Sequence, residues 1–159
     1  IRYLIERADV PPAINQVVMH VGIMPAMLRT VTWCQRNGIA VMGYSPLAIK
    51  FDESDELIRN DSVTGRIGRR YGRSGAEVSL RYVVQRGAAV VTQSTSVAHL
   101  RSDVGLSNWQ LSGEDMAVLD AQTTPSGGFA DELFGAVGKR CMNAWGMFEP
   151  DQVDDPSLF

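Results

Sequence analysis

The sequence predicts an α/β fold: a partial TIM (β/α)8 barrel, with three parallel strands and helices on their outer side. Four observations carry that prediction. Short β-branched runs alternate with segments of helical period, in the order strand, helix, strand, helix, strand, helix. The connections are short, so the crossovers are right-handed and the strands parallel. The last run, AAVVT at 88–92, has no polar alternation, so both of its faces should be covered. No G-x-G-x-x-G follows any strand, which argues against the doubly wound dinucleotide fold and for the barrel.

Each element has its own local reason. Residues 1–8 read as the end of a helix with Leu4 and Ile5 facing inward, stopped by Pro11 and Pro12. AINQVVMH at 13–20 is a strand candidate. Over 27–36, Met27, Val31 and Cys34 fall at helical spacing with Leu28 beside them, and Asn37-Gly38 ends that helix. Residues 39–44 form the second strand, and 45–60 a loop whose acidic part is FDESDE. Val63, Ile67 and Tyr71 step by four along a helix weakened by Gly65 and Gly68 and ended by Gly72. Ser74 and Glu77 make a capping box ahead of a face of Ala76, Leu80, Val83 and Val84, and Gly87 stops that helix. After the third strand, near 88–93, Val97, Leu100 and Val104 share a face. Ser112 with Asp115 makes a second capping box, with Leu111 placed to staple onto Met116. From Thr123 onward turn chemistry, a Met- and aromatic-rich stretch and an acidic, Pro-containing tail replace the pattern. The expected organisation is therefore a barrel part over 1–122 and an extension over 123–159.

Composition narrows the function classes. A length of 159 residues suffices for one domain with a real core, and 45% hydrophobic residues is ordinary for a globular chain. The net charge of −3, with no basic stripe, argues against nucleic acid as a partner. No apolar run is long enough to span a bilayer, so no transmembrane segment is expected, and residues 1–10 do not read as a signal peptide. The first residue is Ile1, so further residues are expected upstream. Cys34 and Cys141 lie far apart, and with His20 and His99 they show no metal-ligand spacing, so neither a zinc site nor a disulfide framework is expected. Cys34 reads as a core thiol and His20 as a strand-end packing residue. A reducing compartment, cytoplasm or organelle interior, is the default for unpaired thiols. Asn60-Asp61-Ser62 has the form of a glycosylation sequon but reads as a turn.

Function in a barrel gathers at the C-terminal ends of strands. Here those ends offer Asn15-Gln16, then Tyr44-Ser45-Pro46-Leu47, then Thr92-Gln93-Ser94-Thr95 ahead of a helix N-terminus. These are an amide, an aromatic plane and a set of hydroxyls at a helix N-terminus, and the last suits an anion, because unpaired backbone N–H groups point outward there. Taken alone, Tyr44 would more often be an aromatic capping a core.

Four segments resemble the aldo-keto reductase family in order and spacing: PAINQVVMH, CQRNGIAVMGYSPLA, SGAEVSLRYVVQRGAAVVTQST and LSGEDMAVLD. The resemblance covers roughly residues 10–121 and the C-terminal part of that barrel, strands 6 to 8. It implies NAD(P)H-dependent carbonyl reduction, with a nicotinamide cofactor lying across the barrel mouth and a small-molecule carbonyl substrate. Tyr44 matches the residue that stacks on the nicotinamide, and Gln16, beside Asn15, the amide that bonds its carboxamide. Ser45 and Leu47 match contacts to the pyrophosphate, and Ser94, Thr95 and His99 fall in the adenosine-phosphate segment.

The departures are specific. At the third strand the family reads Pro-Lys-Ser, then an Arg, then Glu-Asn; here stand Thr92, Gln93, Ser94, then His99, then Ser102 and Asp103. The Lys and Arg hold the 2′-phosphate of NADP, whereas Gln93 is neutral and His99 is no permanent cation. Losing both charge-assisted contacts would cost about 1.5–3 kcal/mol each. Asp103 adds a negative charge nearby. Ala48 replaces a Gly and Val18 a Glu of the family pattern. The adenosine-phosphate site is therefore expected to be weak.

No residue here matches the family's catalytic Asp, Tyr, Lys and His, which come from the first half of the barrel, so no catalytic residue is nominated. Two readings follow. One is a fragment of a complete reductase. The other is a catalytically inactive, reductase-derived subunit of a larger assembly, favoured by the tail with Phe134, Trp145, Met147 and Phe148. A generic sugar-phosphate-binding half barrel would explain the anion site but not the four matched segments. In either main reading the expected partner is the N-terminal barrel half or other protein subunits. They would cover an inner sheet face read as carrying Ile14, Val17, Ile39, Val41, Val90 and Val91, with stretch 129–148 as the docking segment.

Overall fold

The structure, a computed structural model, describes residues 1–23, 25–47 and 62–122, with backbone alone for Pro25 and Ala26. Most of the 45–60 loop with Ala48, the Asn60-Asp61 part of the sequon-like triplet, Cys141 and the whole of 123–159 lie outside the described residues.

Three strands, β1 (Ile14–Val18), β2 (Ala40–Tyr44) and β3 (Ala89–Val90), form one sheet in the order β1-β2-β3. Both pairings are parallel, as expected. Ile14 stands opposite Ala40, Val18 opposite Tyr44, and Gly43 opposite Val90. The third strand is shorter than the expected 88–93: its ladder with β2 holds only Ala89 and Val90. One further bond, Val91 N to Gly43 O at 2.9 Å, continues the line.

Helix α1 (Arg2–Arg7) is followed by an extended Ala8 and the Pro11-Pro12 pair. It buries no residue, and Leu4 is 53% exposed, so the inward Leu4–Ile5 face is not found. Its link to the rest runs through the Arg2 guanidinium, 5.3 Å above the Trp33 ring of α2 (Pro25–Arg36). Helix α2 starts at a Pro, which suits the first turn. It buries Val31 and Cys34 and ends on Gly38 at φ 73°.

Helix α3 (Val63–Tyr71) is capped by Ser62, whose Oγ accepts from Gly65 N at 3.0 Å, and closed by left-handed Gly72. Its interior glycines are packing residues. A Cβ on Gly68 would lie 2.3 Å from the Arg73 carbonyl oxygen, so the tight return into the next helix requires Gly there. Helix α4 (Gly75–Gln85) makes the full capping box: Glu77 N donates to Ser74 Oγ at 3.2 Å and Ser74 N to Glu77 Oε2 at 2.8 Å. It is covered on more sides than one apolar face would need. Val78, Ser79, Arg81 and Tyr82 are buried with Leu80 and Val83, while Ala76 and Val84 are only partly covered. Buried Arg81 is satisfied by Leu106 O at 2.8 Å and Gln85 Oε1 at 3.1 Å.

Helix α5 (Val97–Val104) passes into a 3-10 turn (Gly105–Asn108) that buries Leu106, and α6 (Gly113–Asp120) follows. The apolar stripe of α5 does not face the core of the described residues: Val97 is 61% and Val104 83% exposed. At α6, Ser112 Oγ accepts from Asp115 N at 3.1 Å, but the reciprocal half of the predicted box is replaced. Ser112 N donates instead to Tyr71 Oη at 2.9 Å, and Tyr71 donates to Asp115 Oδ2 at 2.6 Å. Arg70 pairs with the other carboxylate oxygen. A side chain expected to serve its own helix thus ties α3 to α6.

Burial raises the Asp115 carboxyl, but bonds from Tyr71 and Ser112 and the Arg70 charge outweigh it and hold the group below the usual carboxylate range. With a depressed folded value, this contribution is full above about pH 4 and is lost as pH falls through the folded value. Asp115→Ala should cost about 1–3 kcal/mol at pH 7 in urea unfolding, and the gap to wild type should narrow by pH 3. Equal stability at pH 7 would contradict the clamp.

Candidate functional site

Strand alternation sorts the candidates. Asn15, Val17, Val41 and Gly43 share the face turned to the helices. Asn15 Nδ2 donates to Cys34 Sγ of α2 at 3.4 Å, and a Cβ on Gly43 would meet Val83 of α4 at 3.0 Å. The opposite, inner face carries Ile14, Gln16, Val18, Ala40, Met42 and Tyr44. Asn15 and Gln16 are therefore not brought together: the first is tied to a helix, and the second is exposed on the inner face. Val17, Ile39 and Val41, read as inner-face residues, are buried at 8%, 3% and 3% exposure. Of the six large apolar residues assigned to a bare inner face, only Ile14 and Val91 are substantially exposed, at 55% and 40%.

Gln16 and Tyr44 lie on the same face, since Tyr44 pairs with Val18, two residues along β1 from Gln16. Among the described residues no hydrogen bond takes up the Gln16 amide, and Tyr44 is part-buried. Tyr44 O accepts from Met19 N at 3.1 Å, which fixes the ends of β1 and β2 against each other. Directly behind it Ser45 holds φ 53°, the only positive φ outside glycine among the described residues, and Pro46 is buried. A left-handed L-residue costs about 1–2 kcal/mol. Nothing in the sequence signalled that strain. Leu47 follows in the turn, half-buried.

The third strand end leads to the N-terminus of α5. Ser96 caps it, accepting from His99 N at 3.4 Å, and Ser94 Oγ accepts from Ser96 N at 3.1 Å. Ser94 Oγ also lies 3.4 Å from His99 Nδ1. The helix therefore satisfies two of its own terminal donors. Ser96 was missed in the sequence, although a Ser directly before an apolar-periodic run is a cap signal. Thr95 is exposed. Asp103 is held in place by Thr92 Oγ1 at 3.0 Å.

His20 follows β1 and is 2% exposed, with Nδ1–H donating to Val21 O at 2.8 Å. It packs at the strand end, as read from the sequence. Burial disfavours the charged ring and lowers its pKa, partly offset by the Val21 carbonyl.

A family-wide sequence profile described as "Aldo/keto reductase family" matches residues 1–123. The chain belongs to the aldo-keto reductase family. It is 31% identical over 114 residues to a D-galacturonate reductase of Fragaria ananassa, and 32% identical over 114 to NADPH-dependent codeinone reductase 1-1 of Papaver somniferum. Each match covers 71% of this chain and 35% of the relative. The structure of the aldose reductase from Schistosoma japonicum superposes with a TM-score of 0.70 at 25% identity, covering 86% of this chain and 42% of that one. This aldo-keto reductase chain thus spans about a third of the length of the curated relatives it matches. Its three parallel strands with helices correspond to part of an aldo-keto reductase barrel. Among its described residues no helix is long and apolar enough to cross a membrane.

The buried His20 gives a pH test. With a lowered folded value, its contribution is full above about pH 6.5 and is lost as pH falls through the folded value. His20→Gln should flatten the loss of urea-unfolding stability between pH 7.5 and 5.5. An unchanged slope would assign that loss to other groups.

Proposed function

We propose that this chain supplies the nicotinamide-binding rim of an NAD(P)H-dependent carbonyl reductase. One observation carries the proposal: Gln16, whose amide has no hydrogen-bond partner among the described residues, and Tyr44, part-buried, share the inner face; β1 runs on to Val18 rather than ending at Asn15-Gln16, so Gln16 stands mid-strand and Tyr44 at the end of neighbouring β2. That pair fits a flat carboxamide-bearing ring. The Gln16 amide can donate to and accept from the carboxamide, and the Tyr44 ring can stack on one face and leave the other open. Ser45 and Leu47 lie behind Tyr44 for the pyrophosphate, and Ser94, Thr95 and His99 flank the adenosine end. Asn15 belongs to the packing against α2. When bound, the cofactor would supply hydride to the carbonyl carbon.

The proton donor is assigned to residues outside this chain. Tyr71 donates to Asp115, and Tyr82 donates to Asp120 at 2.8 Å. Burial raises the Tyr82 phenol, against the opposing pull of Arg86, so it is a poor acid. We further propose that 1–122 is the barrel part and 123–159 an extension. The sheet would be continued by the N-terminal barrel half or by other subunits. An inactive subunit of a larger assembly is the second reading, favoured by the fixed Asp103 carboxylate at the adenosine end and by helix donors that α5 already satisfies.

Two titrations of the 159-residue chain test this. NADH should bind, and Tyr44→Ala should weaken it about 2- to 10-fold, the worth of one aromatic stack, while leaving ADP-ribose unaffected. NADPH should not exceed NADH by as much as about 100-fold, or 2.7 kcal/mol. The chain alone should not oxidise either cofactor with aldehydes. Turnover would overturn the assignment of the proton donor, and absence of all dinucleotide binding would favour the inactive-subunit reading.

A further inference from the structure

We propose that Ser45 is a positioning residue, whose left-handed backbone fixes the joint between Tyr44 and Pro46 so that the Tyr44 ring is held on the inner face. The inference rests on the reading of Tyr44 as the stacking ring.

Among the described residues, positive φ occurs at Gly22, Gly38, Gly72 and Gly87, where glycine adopts it without penalty, and at one non-glycine, Ser45. The residue after it is Pro46, whose ring itself disfavours helical backbone at the preceding position. A glycine at 45 would make the same turn more easily. It would also open the joint to many conformations, because glycine visits both signs of φ. Serine keeps a Cβ, and with the buried Pro46 ring on one side the strained turn has few alternatives. On the other side, Tyr44 is anchored through its carbonyl to Met19 N at 3.1 Å. The strained residue therefore sits between an anchored peptide and a buried ring, directly after the aromatic residue of the candidate site. Strain retained where glycine would remove it points to a need for rigidity there.

The test uses the full chain labelled with 3-fluorotyrosine, with Tyr44→Phe to assign the Tyr44 ¹⁹F signal. Ser45→Ala keeps the Cβ and removes the hydroxyl; Ser45→Gly removes both. Wild type and Ser45→Ala should show a Tyr44 signal displaced from free fluorotyrosine, and Ser45→Gly a signal moved toward it, with melting temperature unchanged or higher. The ratio of the NADH and ADP-ribose dissociation constants should be unchanged in Ser45→Ala and raised about 5-fold in Ser45→Gly, since only NADH carries the ring that stacks. Loss of a hydroxyl contact to pyrophosphate weakens both ligands alike in both variants and so cancels in this ratio; an unchanged ratio in Ser45→Gly would count against the proposal. If wild type binds neither ligand, the cofactor reading fails, and the ¹⁹F signal still decides the positioning role. A Tyr44 signal in Ser45→Gly identical to wild type would overturn the proposal.

Discussion

The period of two along the parallel β1-β2 pair is the constraint on which the rest depends. Side chains alternate between faces, so one register decision assigns every residue of both strands. With Val17 opposite Gly43 and Val41 opposite Asn15, the outer face meets α2 and α4. Gly43 lets the β2 backbone approach Val83 and Met19 closely. Fully burying residues such as Val41 and Val83 contributes roughly 1.5–3 kcal/mol each. The same decision turns Gln16 and Tyr44 the other way. Packing on one face and ligand chemistry on the other are thus two consequences of one register.

The helices around that sheet are joined by polar contacts as much as by apolar ones. The Gln85 amide meets both backbone groups of Leu111, donating to its O at 2.8 Å and accepting from its N at 3.0 Å. Asp115 gathers Tyr71, Arg70 and Ser112, and Asp120 takes Tyr82 and Arg86. Each of these carboxylates lies in α6 and reaches α3 or α4. These contacts specify how α6 returns, because a displaced helix would leave several part-buried partners unpaired. Ser79 is one exception: its buried hydroxyl has no hydrogen-bond partner among the described residues.

Much of this was legible in the residues. The strands, the Ser74–Glu77 box, the Gly38 and Gly72 stops and the family resemblance were all read from local chemistry. What the residues did not settle was which of two alternating faces meets the helices. Val17 and Val41 are apolar and Asn15 polar, yet all three share the packed face, because a thiol on α2 accepts the amide. The shared face of Val97, Leu100 and Val104 on α5 is exposed among the described residues, since a spacing of apolar residues says nothing about what covers them. Asp115 was read as a cap from its distance to Ser112, while its main partners lie more than forty residues away in sequence. The Ser45 conformation is a tertiary outcome with no local signature.

The division of the sheet into a packed and a presenting face can be measured directly by thiol labelling of single cysteines. Cysteines at positions 16, 17, 41, 42 and 44 would each be introduced into a Cys141→Ser chain that retains buried Cys34. The predicted result is that positions 16, 42 and 44 label roughly tenfold or more faster than 17 and 41, whose reaction must await local opening. Equal rates across the five positions, or fast labelling at 17 and 41 instead, would contradict it.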